Sequence, residues 1–450
     1  MLDLKSLGIL TAALEKLDSG FRSLPEYSEQ SSGAERLNEV LTATAKKLHD
    51  NFPYFHPLYA GQMLKPPHPV ARLAYALTMY INPNNHALDG GRATSAMEKE
   101  AVVEIAAMFG WKKFLGHLCG GGTMANLEAL WVAGQIHPGK TILANEQAHY
   151  THKRISAVLR LEFETVRCDS RGRIDLEALE NRLKKGDVGT VVATLGTTAT
   201  GSVDPLAEIL ALRERYGFRI HVDAAYGGYF TLASNLAATA KRAFSNISKA
   251  DSIVIDPHKH GLQPYGCGCV LFRDPAVGKL YQHESPYTYF SSAELHLGEI
   301  SLECSRPGAT AAALWATQKL LPLVPDGQFA KGLECGREAA QQLYKKLQAD
   351  DRFTPAFEPE LDIVIFLPRE GSKEKASARS RNIFATAAKR DLHLAIAELP
   401  LRFWDNASFA TADPAETITC LRSVLMKPEH LEWLEPIWER LLEAYSETRF

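Results

Sequence analysis

From about residue 115 to residue 275, short β-rich runs alternate with helical ones, and this alternation constrains the fold more than any other feature of the chain. TILAN, TVVATLG, RIHVDAA, SIVIDP and CGCVLF are the strand candidates. ANLEALWVAGQI, LEALENRLKK and LAEILALRERYG read as the helices between them. Strands alternating with helices build βαβ units and a mainly parallel sheet, so the predicted fold class is α/β. The apolar strand runs suit a sheet covered on both faces. Sites in such sheets lie beyond the carboxyl ends of the strands. The residues just after each run are therefore the ones to inspect.

The flanks read differently. With 450 residues and roughly 100–200 residues per domain, two or three domains are expected. Leu10, Leu14, Leu17, then Leu37, Leu41 and Leu48 fall at helical spacing, which predicts an N-terminal helical segment over residues 1–60. Within it and beyond, NFPYFHPLYAGQMLKPPHPVARL is rich in proline and aromatics and suits an irregular segment lying across another surface. A helix is expected from Thr94 to Met108, with Glu98, Glu100 and Glu104 facing water. The large domain is assigned to 61–320. A smaller α+β C-terminal domain is assigned to 321–450, built on the helices KGLECGREAAQQLYKKLQAD and ASARSRNIFATAAKRD and the strands LDIVIFLP and TCLRSVLM.

Composition removes several function classes. The formal net charge is −3 and no lysine/arginine block is present, so neither nucleic acid nor a membrane surface is an expected partner. No run approaches the roughly 20 apolar residues of a membrane span, and the first residues lack a signal-peptide pattern. The seven cysteines are scattered without paired CxxC motifs, and Cys267-Gly-Cys269 reads as small buried side chains in a strand. No metal is expected, and a reduced, cytoplasmic setting fits best.

Four local features carry chemistry. Gly120-Gly121-Gly122-Thr123 immediately precedes a helix; glycines let the backbone close on an anion, and the helix start offers free N–H groups and positive dipole. Asp223 ends an apolar strand, where a carboxylate is costly unless paired. A cationic ring nitrogen of a cofactor would pair it, and Ala224-Ala225 would let a flat ring approach; the bland alternative is a helix cap. Lys259, in Asp256-Pro257-His258-Lys259 after another strand, could form an imine with a carbonyl cofactor, or be an exposed turn lysine. His149, in a strand-to-helix loop, could stack on a ring or move protons, or simply sit on the surface.

LCGGGTMANLEAL, NEQAHYTHKR, VATLGTTATGSVDPL, RIHVDAAYGGY and ADSIVIDPHKHG occur in this order and resemble the group II amino-acid decarboxylases of pyridoxal 5'-phosphate (PLP) fold type I, which include aromatic-L-amino-acid, tyrosine and glutamate decarboxylases. The likeness spans roughly residues 50–430. It implies PLP as cofactor, held by Lys259 as a Schiff base, with Asp223 on the pyridinium nitrogen. It implies His149 on one ring face and Ala225 on the other, Gly122, Thr123 and His258 at the phosphate, and Thr198 bordering the ring. Residues 285–289, Ser-Pro-Tyr-Thr-Tyr, resemble the family's mobile loop, whose tyrosine protonates the product; Tyr287 matches best and Tyr289 is the alternative. Arg422 and Arg306 resemble positions near the substrate carboxylate, where a bidentate clamp would serve. A homodimer with its active site at the subunit interface is also implied.

The reaction so implied is α-decarboxylation of an L-amino acid to an amine and CO2. ECSRPG and DPHKHGLQPYG also resemble sphingosine-phosphate lyase, a carbon–carbon lyase of the same superfamily. An aminotransferase and a non-catalytic PLP-binding protein are further alternatives. The loop in INPNNHALDGGRATSAMEKE lacks a serine-proline pair found in many decarboxylases, which leaves the substrate open.

Overall fold

The computed structural model describes residues 4–25, 33–86, 88–282, 297, 300–404 and 416–448. The alternating region forms a seven-stranded sheet of β1 (Leu115–Cys119), β2 (Thr141–Asn145), β3 (Phe163–Val166), β4 (Val188–Thr194), β5 (Arg219–Asp223), β6 (Ser252–Ile255) and β7 (Gly268–Phe272). Their spatial order is β1-β7-β6-β5-β4-β2-β3. All neighbours are parallel except β7, which runs against both β1 and β6. Every residue of β4 and β6 is buried, as expected of strands covered on both faces. A second, antiparallel sheet of β8 (Phe353–Pro355), β9 (Ile363–Pro368), β10 (Ala395–Pro400) and β11 (Thr417–Val424) lies in the C-terminal part, in the order β10-β11-β9-β8. The short strands β1, β3, β8 and β10 have no counterpart in the sequence reading.

Helices α1 (Leu7–Ser19) and α2 (Ala34–Leu48) form where apolar spacing predicts them, yet neither contributes a buried residue. Helix α3 (Pro69–Met79) starts with Pro69 in the first turn, where a missing N–H costs nothing. The expected helix ending at Met108 is α4 (Leu88–Met108), whose backbone leaves helical geometry at Gly91. Helices α5 (Gly122–Ile136), α6 (Thr151–Leu159), α7 (Leu176–Leu183) and α8 (Leu206–Tyr216) alternate with the strands, and α9 (Ala238–Phe244) precedes β6. Helix α10 (Gly308–Leu320) leads to the long α11 (Gln328–Ala349), and α12 (Lys373–Ala388) and α13 (Leu434–Glu447) complete the C-terminal part.

The central strand β9 of the small sheet is buried on both faces. Ile363, Ile365 and Leu367 join a core that includes Val191, Val222 and Ile253 of the large sheet. Val364 and Phe366 alternate with them and pack with Leu343, Ile383 and Ile437 from α11, α12 and α13. The proline- and aromatic-rich segment lies across this unit: Ala60 N–H donates to His393 O at 2.9 Å and Val424 N–H to Ala60 O at 2.7 Å.

The expectation that Glu98 faces water is wrong. Glu98 is buried: its carboxylate accepts from Asn85 Nδ2 at 2.7 Å, Leu118 N–H at 2.9 Å and Arg306 Nη1 at 2.6 Å. Periodicity placed it on the outer face, but α4 is covered there by chain from 20 and 208 residues away. Glu100 and Glu104 are exposed as expected.

Candidate active site

A cavity of about 250 Å³ opens beyond the carboxyl ends of the large sheet. Lining it are Gly122 and Thr123 after β1, His149 after β2, Thr198 after β4, Asp223 and Ala225 at β5, and His258 and Lys259 after β6. Features scattered over more than a hundred residues of chain thus converge, because the parallel crossovers deliver each strand's end to the same edge.

The glycine turn is built for close approach. Gly121 has φ of 136°, a conformation side chains rarely adopt, and no side chain caps α5. A Cβ on Gly122 would fall 2.6 Å from Asp256 Oδ2, and one on Gly121 3.1 Å from His258. The N–H groups of the first turn of α5 therefore stay available to an anion. On the floor, Gly268 of β7 presses on Gly121, where a Cβ would lie 2.5 Å from its carbonyl carbon. That contact explains the small-residue run Cys267-Gly268-Cys269, whose two cysteines are buried as a strand requires.

Asp223 is buried, and burial alone would raise its carboxyl. The hydrogen bond and charge of His152, then the charges of His221 and Lys259, outweigh this and hold it well below the ordinary carboxylate value. His152 Nε2 lies 2.8 Å from Asp223 Oδ2, and Asp223 Oδ1 accepts from Ala225 N–H at 3.1 Å. Behind it, His221 bonds Asn126 Oδ1 at 2.8 Å and Ser252 Oγ at 2.9 Å, and burial pushes His221 down to about 3. Lys259 Nζ sits 3.1 Å from Asp256 Oδ2. The Nδ1 of His258 is 2.8 Å from Cys267 O; a carbonyl only accepts, so Nδ1 carries the hydrogen. His149 Nδ1 accepts from Thr151 N–H at 3.3 Å, and burial lowers its pKa, which favours a neutral ring.

Two residues singled out in the sequence lie elsewhere among the described residues. Arg306 does not line the cavity: its guanidinium is buried on Glu98 and on Leu118 O at 2.6 Å. Arg422 is buried against the loop after β4, donating to Thr198 O at 2.7 Å, Ala199 O at 2.9 Å and Gln62 Oε1 at 3.2 Å. Tyr287, with Tyr289, falls outside the described residues. Sequence reasoning missed His152, Asp256 as the partner of Lys259, and Asn126. His152 was visible as a second histidine in HYTH, three residues after His149, but only the fold brings it to Asp223.

These residues fit PLP. The cofactor carries a phosphate, a ring nitrogen that can be protonated and an aldehyde. The cavity presents, in the same order, an uncapped helix start after a glycine turn, a buried carboxylate held ionised, and a lysine amine. Thr194 Oγ1, Asp256 Oδ1 and His152 Nδ1, all from residues on or beside this cavity, are buried and without a hydrogen-bond partner, as expected where a polar group is to be received.

Comparison with known proteins bears on the same point. Residues 131–369, just over half the chain, match the model of the pyridoxal-dependent decarboxylase conserved domain. The chain is 28% identical to an L-tyrosine decarboxylase of Enterococcus faecium, over 74% of this chain and 70% of that one. It is 26% identical to the cysteine sulfinic acid decarboxylase of Mus musculus, over 77% and 73%. Among solved structures, mouse CSAD superposes with a TM-score of 0.78 at 22% identity, over 96% of this chain and 92% of that one. Oryza sativa TDC with PLP and tryptamine gives 0.78 at 16% identity over 99% of both. The fold is that of PLP fold type I enzymes. With the domain match, the named relatives and a cavity whose chemistry suits the cofactor, the chain belongs to the pyridoxal-dependent decarboxylase family and is a PLP-dependent amino-acid decarboxylase.

Proposed function

We propose that the protein removes the α-carboxylate of an L-amino acid, giving an amine and CO2, with Lys259 as the lysine that carries PLP and yields it to the substrate. The observation that carries this reading is the lysine amine and the ionised Asp223 carboxylate lining one cavity with an uncapped helix start. When bound, PLP supplies a protonated ring that takes up the electrons of the breaking bond. Asp223 keeps that ring nitrogen protonated. His149 covers one face of the ring as a neutral imidazole, and Ala225, too small to obstruct, allows approach to the other. Gly122, Thr123 and His258 hold the phosphate, and Thr198 borders the ring. Asp256 holds the Lys259 amine in place at the cavity. Tyr287 returns a proton to the substrate's α-carbon after CO2 leaves.

Arg422 acts on this reading by fixing the carbonyl of Thr198, which lines the cavity, and by bonding Gln62. Arg306, committed to Glu98, acts on this reading by tying β1 to α4. The protein works in the cytoplasm as a homodimer, with residues 1–60 as the dimerisation segment, 61–320 as the cofactor domain and 321–450 as the small domain. The exposed apolar residues of α1 and α2 support the dimer.

The test is a panel of L-amino acids, including tyrosine, aspartate and cysteine sulfinate, given to the PLP-loaded protein and scored for CO2, amine, aldehyde and keto acid. Stoichiometric amine and CO2 from one class is expected. Keto acid without CO2 would replace the reading by transamination, and cleavage of a phosphorylated amino alcohol by the lyase. In Tyr287→Phe, amine formation should fall about 10²–10⁴-fold, with carbonyl product rising in its place.

A further inference from the structure

A second cavity lies apart from the one that contains Lys259. It measures about 480 Å³ and lies where the segment 65–69, the turn after Lys259, the start of α11 and the turn after β11 meet. It shares no lining residue with the site above. Its walls are largely apolar, with Phe55, Leu262, Phe329 and Leu333 among them.

Two lysines project their charge into this apolar setting. Lys427 is only 3% exposed; its Nζ donates to Tyr59 O at 2.6 Å and lies 5.3 Å from the centre of the Tyr59 ring. Lys65 Nζ donates to Met426 O at 3.3 Å. Among the described residues, no carboxylate comes within salt-bridge distance of either amine; Asp362 and Glu429 act on them only from farther away. Burial brings Lys65 down to about 8, and burial with the neighbouring Lys65 brings Lys427 down to about 7. Lys331 adds a third amine at the exposed rim. One carboxylate, the exposed Glu429, shares the lining. A buried ammonium without a counter-ion is costly, and each amine here keeps donors unused.

We propose that this cavity is a second small-molecule site, which binds an organic carboxylate with an apolar body: the carboxylate between Lys65 and Lys427, the body against Phe329 and Leu333. A ligand of this kind satisfies both halves of the cavity, since the anion completes the ammonium groups and the chain replaces water on the apolar wall. Inorganic phosphate would meet the charge and leave the wall wet. Binding restores charge to amines that burial has partly discharged, so the protein takes up protons as the ligand binds.

The experiment uses the full-length PLP-loaded protein and octanoate as the probe, followed by titration calorimetry at pH 8. One saturable site per chain is expected. The apparent heat should change between buffers of different ionisation enthalpy in the sense of proton uptake. Lys427→Met and Lys65→Met should each weaken binding at least about tenfold. Because a buried substitution can disturb folding, Lys331→Glu at the exposed rim is the second variant. It should weaken octanoate about threefold with an unchanged thermal transition. Inorganic phosphate should bind far more weakly, and a saturating amino-acid substrate should not displace octanoate. Displacement by substrate would place the probe in the Lys259 cavity and overturn the proposal. So would affinity that is indifferent to all three substitutions, or equal binding of phosphate.

Discussion

Asp223 shows how one residue's chemistry is set by its neighbours. Its carboxyl is lowered in the folded protein, so the charged form contributes stability above its ordinary pKa of about 3.9. That contribution is lost as pH falls from there toward the folded value. His152→Leu removes the leading partner that lowers it while burial, which raises it, remains. The acid-unfolding midpoint, followed by circular dichroism, should move to higher pH. Turnover should fall about 10–100-fold, and His152→Gln, whose amide can still donate to Asp223, should recover part of both. A Leu variant with the acid midpoint of the parent would rule out His152 as the positioning residue for this carboxylate. Asp223→Asn should still take up PLP, yet lose about 10²–10³-fold in turnover; steady-state rates on cofactor-saturated protein decide this. Asp223 and Lys259 stood out in the sequence as polar residues at or just beyond the end of an apolar run, and the resemblance to the decarboxylase family supplied the roles expected of them. His152 did not, since a histidine inside a helix has no sequence signature for the carboxylate 71 positions on.

At the scale of elements, two contacts hold the strand ends in place. The first is the glycine turn lying on β7. Gly268→Ala would drive a methyl into the Gly121 backbone, and no flexible side chain is there to yield. Cofactor binding should weaken about 10–100-fold, read from reconstitution with PLP, while the secondary structure by circular dichroism stays that of the parent. Retention of full affinity would show that the turn tolerates the shift. The second is Asp204, which is fully buried. Its Oδ1 accepts from Ile174 N–H at 2.6 Å and Asn145 Nδ2 at 2.9 Å, and its Oδ2 accepts from Thr194 N–H at 2.8 Å. It thereby ties the ends of β2 and β4 to the loop before α7. Asp204→Asn turns an amide hydrogen toward an N–H donor and should destabilise by about 1–3 kcal/mol, measured by denaturant unfolding. No change would mean that the amide finds another acceptor. Neither contact could be read from local pattern, because each joins segments whose proximity depends on the order of strands in the sheet.

At the scale of the whole molecule, helix α2 presents apolar residues to solvent. Leu37 and Leu41 are 55% and 58% exposed, with Leu48 farther along α2. Exposed apolar residues at helical spacing are unusual for a helix that ends its days in water. If these residues meet a second subunit, Leu37→Glu combined with Leu41→Glu should halve the mass seen by light scattering and lower the specific activity. A double variant that keeps the parent's mass would exclude α2 from the proposed subunit contact.

The sequence by itself determined the α/β class, the mainly parallel sheet, the helices that alternate with the strands, and the strand-end positions of Asp223, Lys259 and the glycine turn. These follow from local periodicity and from where polar residues interrupt it, which are properties of neighbouring residues in the chain. The tertiary structure decided what depends on distant partners. It buried Glu98 under Arg306, turned Arg422 onto the Thr198 loop, and set His152 behind Asp223. It also brought Lys65 and Lys427 together across more than 360 residues. A charge's surroundings are fixed by packing, and packing joins residues that no local pattern relates.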